Sequence, residues 1–179
     1  MNFFFGFKNN NFYSELTIPK FQNSGKRIKD PVLFSAEPVN NSWKIEKIEN
    51  RENDEFYFIR KEDIDSTRIF FIGTKNDEKE LIKNKNLELK NLNNFTDTTP
   101  EFRANLKIKN NQDGYSSYQS DYPYEMTKIN GSITASLFPL TNKNADKNYV
   151  ILRNIFFKPK KEDFEIFIIN KKEKKILSK

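Results

Sequence analysis

The side chains best suited to chemistry crowd into thirteen residues, Asp113-Gly114-Tyr115-Ser116-Ser117-Tyr118-Gln119-Ser120-Asp121-Tyr122-Pro123-Tyr124-Glu125. The segment holds four tyrosines, three serines, a glutamine and three acids, and it lacks lysine in a chain otherwise rich in it. Tyrosine combines a flat apolar ring with a hydrogen-bonding tip and loses little entropy when held. The segment therefore reads as a ligand-binding surface made by Tyr115, Tyr118, Tyr122 and Gln119, with Trp43 as a further ring nearby. A glycan or another protein is the expected ligand. The competing structural reading is a strand and a proline-containing turn whose tyrosines fill the edge of a sheet.

Asp121 and Glu125 are the weaker, catalytic candidates. Glycoside hydrolysis needs two carboxyl groups about 5 to 9.5 Å apart around the scissile bond. Carboxylates, lysine and tyrosine are the proton-transfer groups open to this chain, which has neither histidine nor cysteine. That composition excludes Ser-His-Asp and Cys-His machinery, disulfides, and thiolate or imidazole metal sites. Pro123 interrupts the strand between the two acids, and solvated acids in a loop are the ordinary case.

Three further patterns resolve into structure rather than chemistry. Asn142 to Asn148 alternates oxygen-bearing side chains as a calcium loop does. Its sixth position is Lys147 where such a loop needs glycine, its twelfth is Arg153 where it needs glutamate, and Asp146 is its one acid. The five glycines are isolated, so there is no glycine-rich phosphate loop. Lys158, Lys160, Lys161, Lys171, Lys172, Lys174 and Lys175 flank a C-terminal strand and read as solvated turns that blunt a sheet edge. No metal and no cofactor is expected. Asn40, Asn94 and Asn130 open glycosylation sequons, which short motifs do by chance.

The elements that must position these residues are strands. Phe102 to Ile108 alternates apolar and polar residues strictly, and Trp43 to Ile48 does so until its end. Val32 to Ala36, Phe56 to Ile59, Ile69 to Ile72, Val150 to Phe157 and Phe164 to Ile169 are short apolar runs of the kind strands show when buried. Asn170-Lys171-Lys172-Glu173 suggests a hairpin turn into a strand from Lys174 to Leu177. Asn130-Gly131 suits a type I′ hairpin that puts Met126 and Ile133 inside and a hydroxylated face, Thr127, Ser132, Thr134 and Ser136, outside. One short helix is expected, capped by Asn76 and running through Lys83, with acids early and lysine late. The fold class is mainly β, a β-sandwich or jelly roll with at most one or two short helices.

At 179 residues, the chain is expected to form a single β domain over 1–179, with a lobe boundary near 83–100 as the alternative. Asn, Lys, Phe and Ile share AT-rich codons, so their abundance reports nucleotide composition before function. The net charge of +6 lies in the region from Lys143 to Lys179, where 11 Lys+Arg face 5 Asp+Glu. The rest is balanced, so no footprint for specific nucleic acid binding is expected. No apolar run approaches the roughly 18 residues of a membrane span, and no leader is legible, which makes the cytoplasm the default compartment with export by another route left open. The functional expectation is a non-catalytic binding module. A carbohydrate-active enzyme using carboxylates and a virion or appendage assembly protein are the alternatives.

Overall fold

The apolar runs Val32 to Ala36 and Ile69 to Ile72 become strands buried on both faces, whereas the described part of the run Phe164 to Ile169, expected as a buried strand, is exposed. The computed structural model describes residues 4–22, 24–49, 51–83, 104–112, 115–118, 141–142, 144–149 and 165–178. Two compact units divide the chain: Met1–Glu125 with Arg153–Lys160, and Met126–Leu152 with Lys161–Lys179.

The first unit is mainly β. Strands β1 (Phe4–Gly6), β7 (Arg68–Thr74), β3 (Pro31–Val39) and β4 (Ser42–Lys47) form a four-stranded sheet in that order. Strands β5 (Arg51–Glu52), β6 (Phe56–Ile59), β2 (Phe12–Pro19), β8 (Asn105–Asn110) and β9 (Tyr115–Tyr118) form a five-stranded one. All pairings are antiparallel. Phe4, Leu33, Phe70 and Ile72 of the first sheet share one buried cluster with Leu16, Ile18, Tyr57, Ile59 and Leu106 of the second. Two sheets joined by one core make a β-sandwich.

Alternation explains which residues enter that core. On β3, Leu33 turns toward the five-stranded sheet, whereas Val32, Phe34 and Ala36 join a second cluster on the opposite face. On β7, Phe70 and Ile72 face the first cluster and Ile69 and Phe71 the second. Phe34 and Phe71, opposite each other in register, stack with centroids 5.6 Å apart. Trp43 and Ile45 of β4 complete the second cluster, and Leu81 of a short helix, α1 (Glu78–Lys83), enters it. At Gly73 a Cβ would come within 2.9 Å of the Phe34 ring and 3.3 Å of Leu81. The missing side chain thus lets the helix and ring close over β7.

Helix α1 begins one residue later than the sequence suggests. Asp77, not Asn76, is its capping position: the Asp77 carbonyl accepts Leu81 N–H at 2.9 Å, and its carboxylate accepts the Thr74 N–H at 2.8 Å and hydroxyl at 2.6 Å. The boundary moves because Asp77 folds the end of β7 into the helix.

The hairpin expected at Asn130-Gly131 falls outside the described residues; among them, a tight hairpin forms at Asn40-Asn41. Asn40 and Asn41 join β3 to β4 with φ of 50° and 59°. Val39 pairs with Ser42 directly across the turn. Two left-handed residues in a two-residue loop match the twist of the flanking strands. Strand β2 is the principal strand that the expectations lacked. Ser14 hides its pattern by occupying the inward row, where its hydroxyl accepts the Phe7 N–H at 2.9 Å.

In the second unit, β10 (Ile168–Asn170) pairs with β11 (Lys175–Ser178). The connecting turn is held by Asn170 Oδ1, which accepts the N–H groups of Lys172 at 3.1 Å and Glu173 at 3.3 Å. Lys174, expected to open the last strand, takes φ 51° and closes the turn instead. Among the described residues, no helix is long and apolar enough to cross a membrane.

The Asn40-Asn41 turn can be tested directly. A β-branched residue in the left-handed region costs about 1–2 kcal/mol or more, so Asn41→Val should lower unfolding free energy in urea by that amount. Asn41→Gly should hold or raise it. Equal stability of the valine variant would refute the turn.

Candidate functional site

Strands β3 and β7 of the four-stranded sheet are buried on both faces, and among the described residues side chains of mixed chemistry line the outer face of the five-stranded sheet. Its inward row on β2 is Ser14, Leu16 and Ile18, all buried. Tyr13, Glu15 and Thr17 occupy the outward row. Register places Tyr13 opposite Lys109, Glu15 opposite Lys107 and Thr17 opposite Asn105. On β8's other side, Lys109 stands opposite Tyr115. Phe56 and Phe58 of β6 pair with Pro19 and Thr17 and put two more half-buried rings on the same face, 6.4 Å apart.

Lysines and rings interleave across this face. Lys107 Nζ lies 5.5 Å from the Tyr115 ring centroid, and Lys109 Nζ lies 6.0 Å from that of Tyr13. Lys61, from the 3-10 turn Lys61–Asp63 after β6, sits 4.5 Å over Tyr13 from another direction. Ammonium groups over aromatic faces are held by the ring quadrupole. Glu15 is the acid in the row, and its carboxylate accepts a 2.7 Å ion pair from Lys109. That bond, the first of its causes, raises Lys109 above the ordinary lysine value.

Asparagines fix the upper corner of the face. Asn9 Oδ1 accepts the N–H groups of Asn11 at 2.9 Å and Phe12 at 2.8 Å, which shapes the loop into β2. Asn111, just after β8, donates through Nδ2 to the Asn10 carbonyl at 2.6 Å and through its backbone N–H to the Asn11 carbonyl at 2.9 Å. Its Oδ1 accepts Lys61 Nζ at 2.9 Å. One side chain thus ties the β1–β2 loop to β8 and aims Lys61.

The residues singled out by sequence separate here. Tyr115 is 67 % exposed and joins the face. Tyr118 ends β9, in register with Leu106. Tyr122, Gln119, Asp121 and Glu125 lie outside the described residues, as do Lys158, Lys160 and Lys161. Trp43 belongs to the other sheet, 2 % exposed, and offers no ring to solvent. The same alternation that buries Ile45 turns Trp43 inward, and its Nε1 has no hydrogen-bond partner among the described residues. Two asparagines of the Asn142–Asn148 loop use their side-chain oxygens within it. Asn148 Oδ1 accepts the Asn142 N–H at 2.8 Å and Asn142 Oδ1 accepts the Asn144 N–H at 3.0 Å.

Sequence reasoning passed over Tyr13, Glu15 and Lys61. The signal for the first two was present in the alternation of Tyr13 to Ile18, masked by a buried serine. Lys61 carries no local signal, because its place depends on Asn111, 50 residues away.

Two other polar groupings are structural. Lys20 is buried, pairs with Glu52 at 2.5 Å, donates to the Asn53 carbonyl at 2.7 Å and lies 4.4 Å over the Tyr57 ring. Burial, with the Glu52 charge, pushes the Tyr57 phenol up, and its hydroxyl donates to the Pro31 carbonyl at 2.7 Å. Arg68 is buried beside Asp65, Ser66, Ser35 and Glu46. Desolvation raises the Asp65 carboxyl, yet the Arg68 charge and hydrogen bonds from the Asp65 and Ser66 backbone and the Ser66 hydroxyl outweigh it, leaving Asp65 below its ordinary value. Both groupings give buried cations oxygen partners, although Arg68 Nε has no hydrogen-bond partner among the described residues.

Comparison with protein-family models, curated proteins and solved structures gives no match for this chain.

The placement of Trp43 has a measurable consequence. Trp43→Ala should destabilise the first unit by about 3–5 kcal/mol through lost packing. Trp43→Phe should cost markedly less, since it keeps a ring and removes a buried N–H without a partner. Calorimetric melting of both variants checks this. An alanine variant as stable as the parent would place the indole outside the core.

Proposed function

We propose that this chain is a non-catalytic binding module whose β-sandwich presents the outer face of its five-stranded sheet, from Tyr13 to Tyr115, to a glycan. The observation that carries the reading is the Tyr115 ring, 67 % exposed at the sheet edge and in one cross-strand row with Lys109 and Tyr13. A pyranose has an apolar C–H face and a rim of hydroxyls. The first suits a tyrosine plane, and the second suits ammonium, amide and hydroxyl groups placed between rings. An antiparallel sheet with one face packed and one solvated is a rigid support for such a row.

Tyr115→Ala tests the reading on a glycan array and by titration of the best glycan found there. Loss of a central aromatic contact costs at least about 2 kcal/mol of binding. Folding stability should move by no more than about 0.5 kcal/mol, as for most exposed positions. Unchanged affinity, or a variant that unfolds, would reject Tyr115 as a recognition residue.

The C-terminal hairpin favours a second reading, contact with protein. Ile169 and Ile176 face each other across β10 and β11 and are 59 % and 61 % exposed. Ile168 and Leu177 are exposed beside them, so the ribbon carries uncovered apolar side chains in consecutive positions. Such patches mark association surfaces. In a self-assembling chain, sedimentation should show concentration-dependent association that Ile169→Glu with Ile176→Glu abolishes. A parent chain that remains monomeric throughout would reject self-assembly.

A further inference from the structure

The charges on the sheet face are unequal. Lys61, Lys107 and Lys109 bring three ammonium groups to it, and Arg60 at the end of β6 is near enough for its charge to oppose protonation of Lys109. Glu15 neutralises Lys109. Lys107 and Lys61 have no carboxylate partner among the described residues: Lys107 is exposed over Tyr115, and Lys61 bonds a neutral amide. Two ammonium groups with no carboxylate partner among the described residues, each over a tyrosine ring, therefore stand at the proposed site.

We propose that this face recognises an acidic glycan, with Lys107 and Lys61 pairing with carboxylates or sulfates on sugars that stack against Tyr115 and Tyr13. The inference rests on the glycan-binding reading and narrows its ligand class. A neutral glycan would gain hydrogen bonds from the lysines but would leave their charge unmatched. An anionic substituent gains a charge-assisted bond, which is roughly twice as strong as a neutral one. The face carries too little charge for nucleic acid. A polyphosphate chain presents one anion per nucleotide and is bound through many neutralised phosphates. Here Glu15 stands in the middle of the row and would repel such a chain. Widely spaced anions fit two lysines separated by a neutralised third.

The cations already lie over the rings, so they are placed before the ligand arrives. Asn111 holds Lys61 by a 2.9 Å bond, which reduces the entropy lost on binding. The ring beneath each ammonium supports it without consuming its charge, unlike a carboxylate.

The test titrates the full chain with four probes: hexagalacturonate, a sulfated hexasaccharide, a neutral hexasaccharide of glucose and a single-stranded thymidine hexanucleotide. The expected result is that one or both acidic sugars bind at least about tenfold more tightly than the neutral one, as a bond to a charged group implies. Added salt should weaken that binding. Lys107→Gln and Lys61→Gln should each cost about tenfold with melting unchanged, while Lys107→Arg retains affinity. The uronate and sulfate arms tell which anion is preferred. Equal binding of acidic and neutral sugars, untouched by the glutamine variants, would overturn the acidic class and leave the glycan reading standing. Binding of the oligonucleotide alone, or of no probe, would overturn both.

Discussion

Strands β3 and β7 bury apolar side chains on both faces, and the described elements around them are arranged to cover them. A strand buried on two sides cannot alternate apolar and polar residues, so Val32-Leu33-Phe34-Ser35-Ala36 and Ile69-Phe70-Phe71-Ile72 run as near-continuous hydrophobic stretches. Each large side chain moved from water contributes roughly 1.5–3 kcal/mol. The five-stranded sheet covers one face through Leu16, Ile18, Ile59 and Leu106. On the other face lie Trp43 and Ile45 of the neighbouring strand and Leu81 of α1. With both faces of β3 and β7 occupied, the proposed recognition surface lies on the outer face of the other sheet.

Charge is treated differently inside the sandwich and on its outer face. Where the sandwich closes, cations are enclosed and must be matched, so Lys20 and Arg68 each collect several oxygen partners. On the outer face water supplies that solvation, and Lys107 has no carboxylate partner among the described residues. The asymmetry is what gives the outer face a potential to offer a ligand. Rings under the lysines add attraction at little desolvation cost, because neither partner leaves water completely.

Much of the fold was legible because burial leaves a pattern. The β6 run was read with its true limits, β3, β4, β7 and β8 were found within a few residues, and the C-terminal hairpin was recognised from Asn170 and its lysines. Other features were hidden by residues whose role is set at a distance. Ser14 sits in a core row because Phe7 supplies its partner, which broke the apparent alternation of β2. Asn40-Asn41 adopts the conformation usually signalled by Asn-Gly, since asparagine tolerates positive φ. Trp43 looked like a binding ring because tryptophan is so often used that way, yet the parity of β4 sends it inward with Ile45. Tyr115 was singled out for its composition, whereas its lysine and tyrosine neighbours came from β2, β8 and the turn after β6. A site assembled across strands from distant segments has no local motif to betray it.

The central claim is that the five-stranded sheet keeps one face closed and one open. Amine-reactive footprinting of the native chain, read by mass spectrometry, examines it most directly. Lys107, exposed on the open face, should be modified early with the fold intact, and Lys61 after it because its amine bonds Asn111. Lys20, 6 % exposed and bound to Glu52 and the Asn53 carbonyl, should resist until the chain unfolds. Modification of Lys20 at the rate of Lys107 under native conditions would contradict the account.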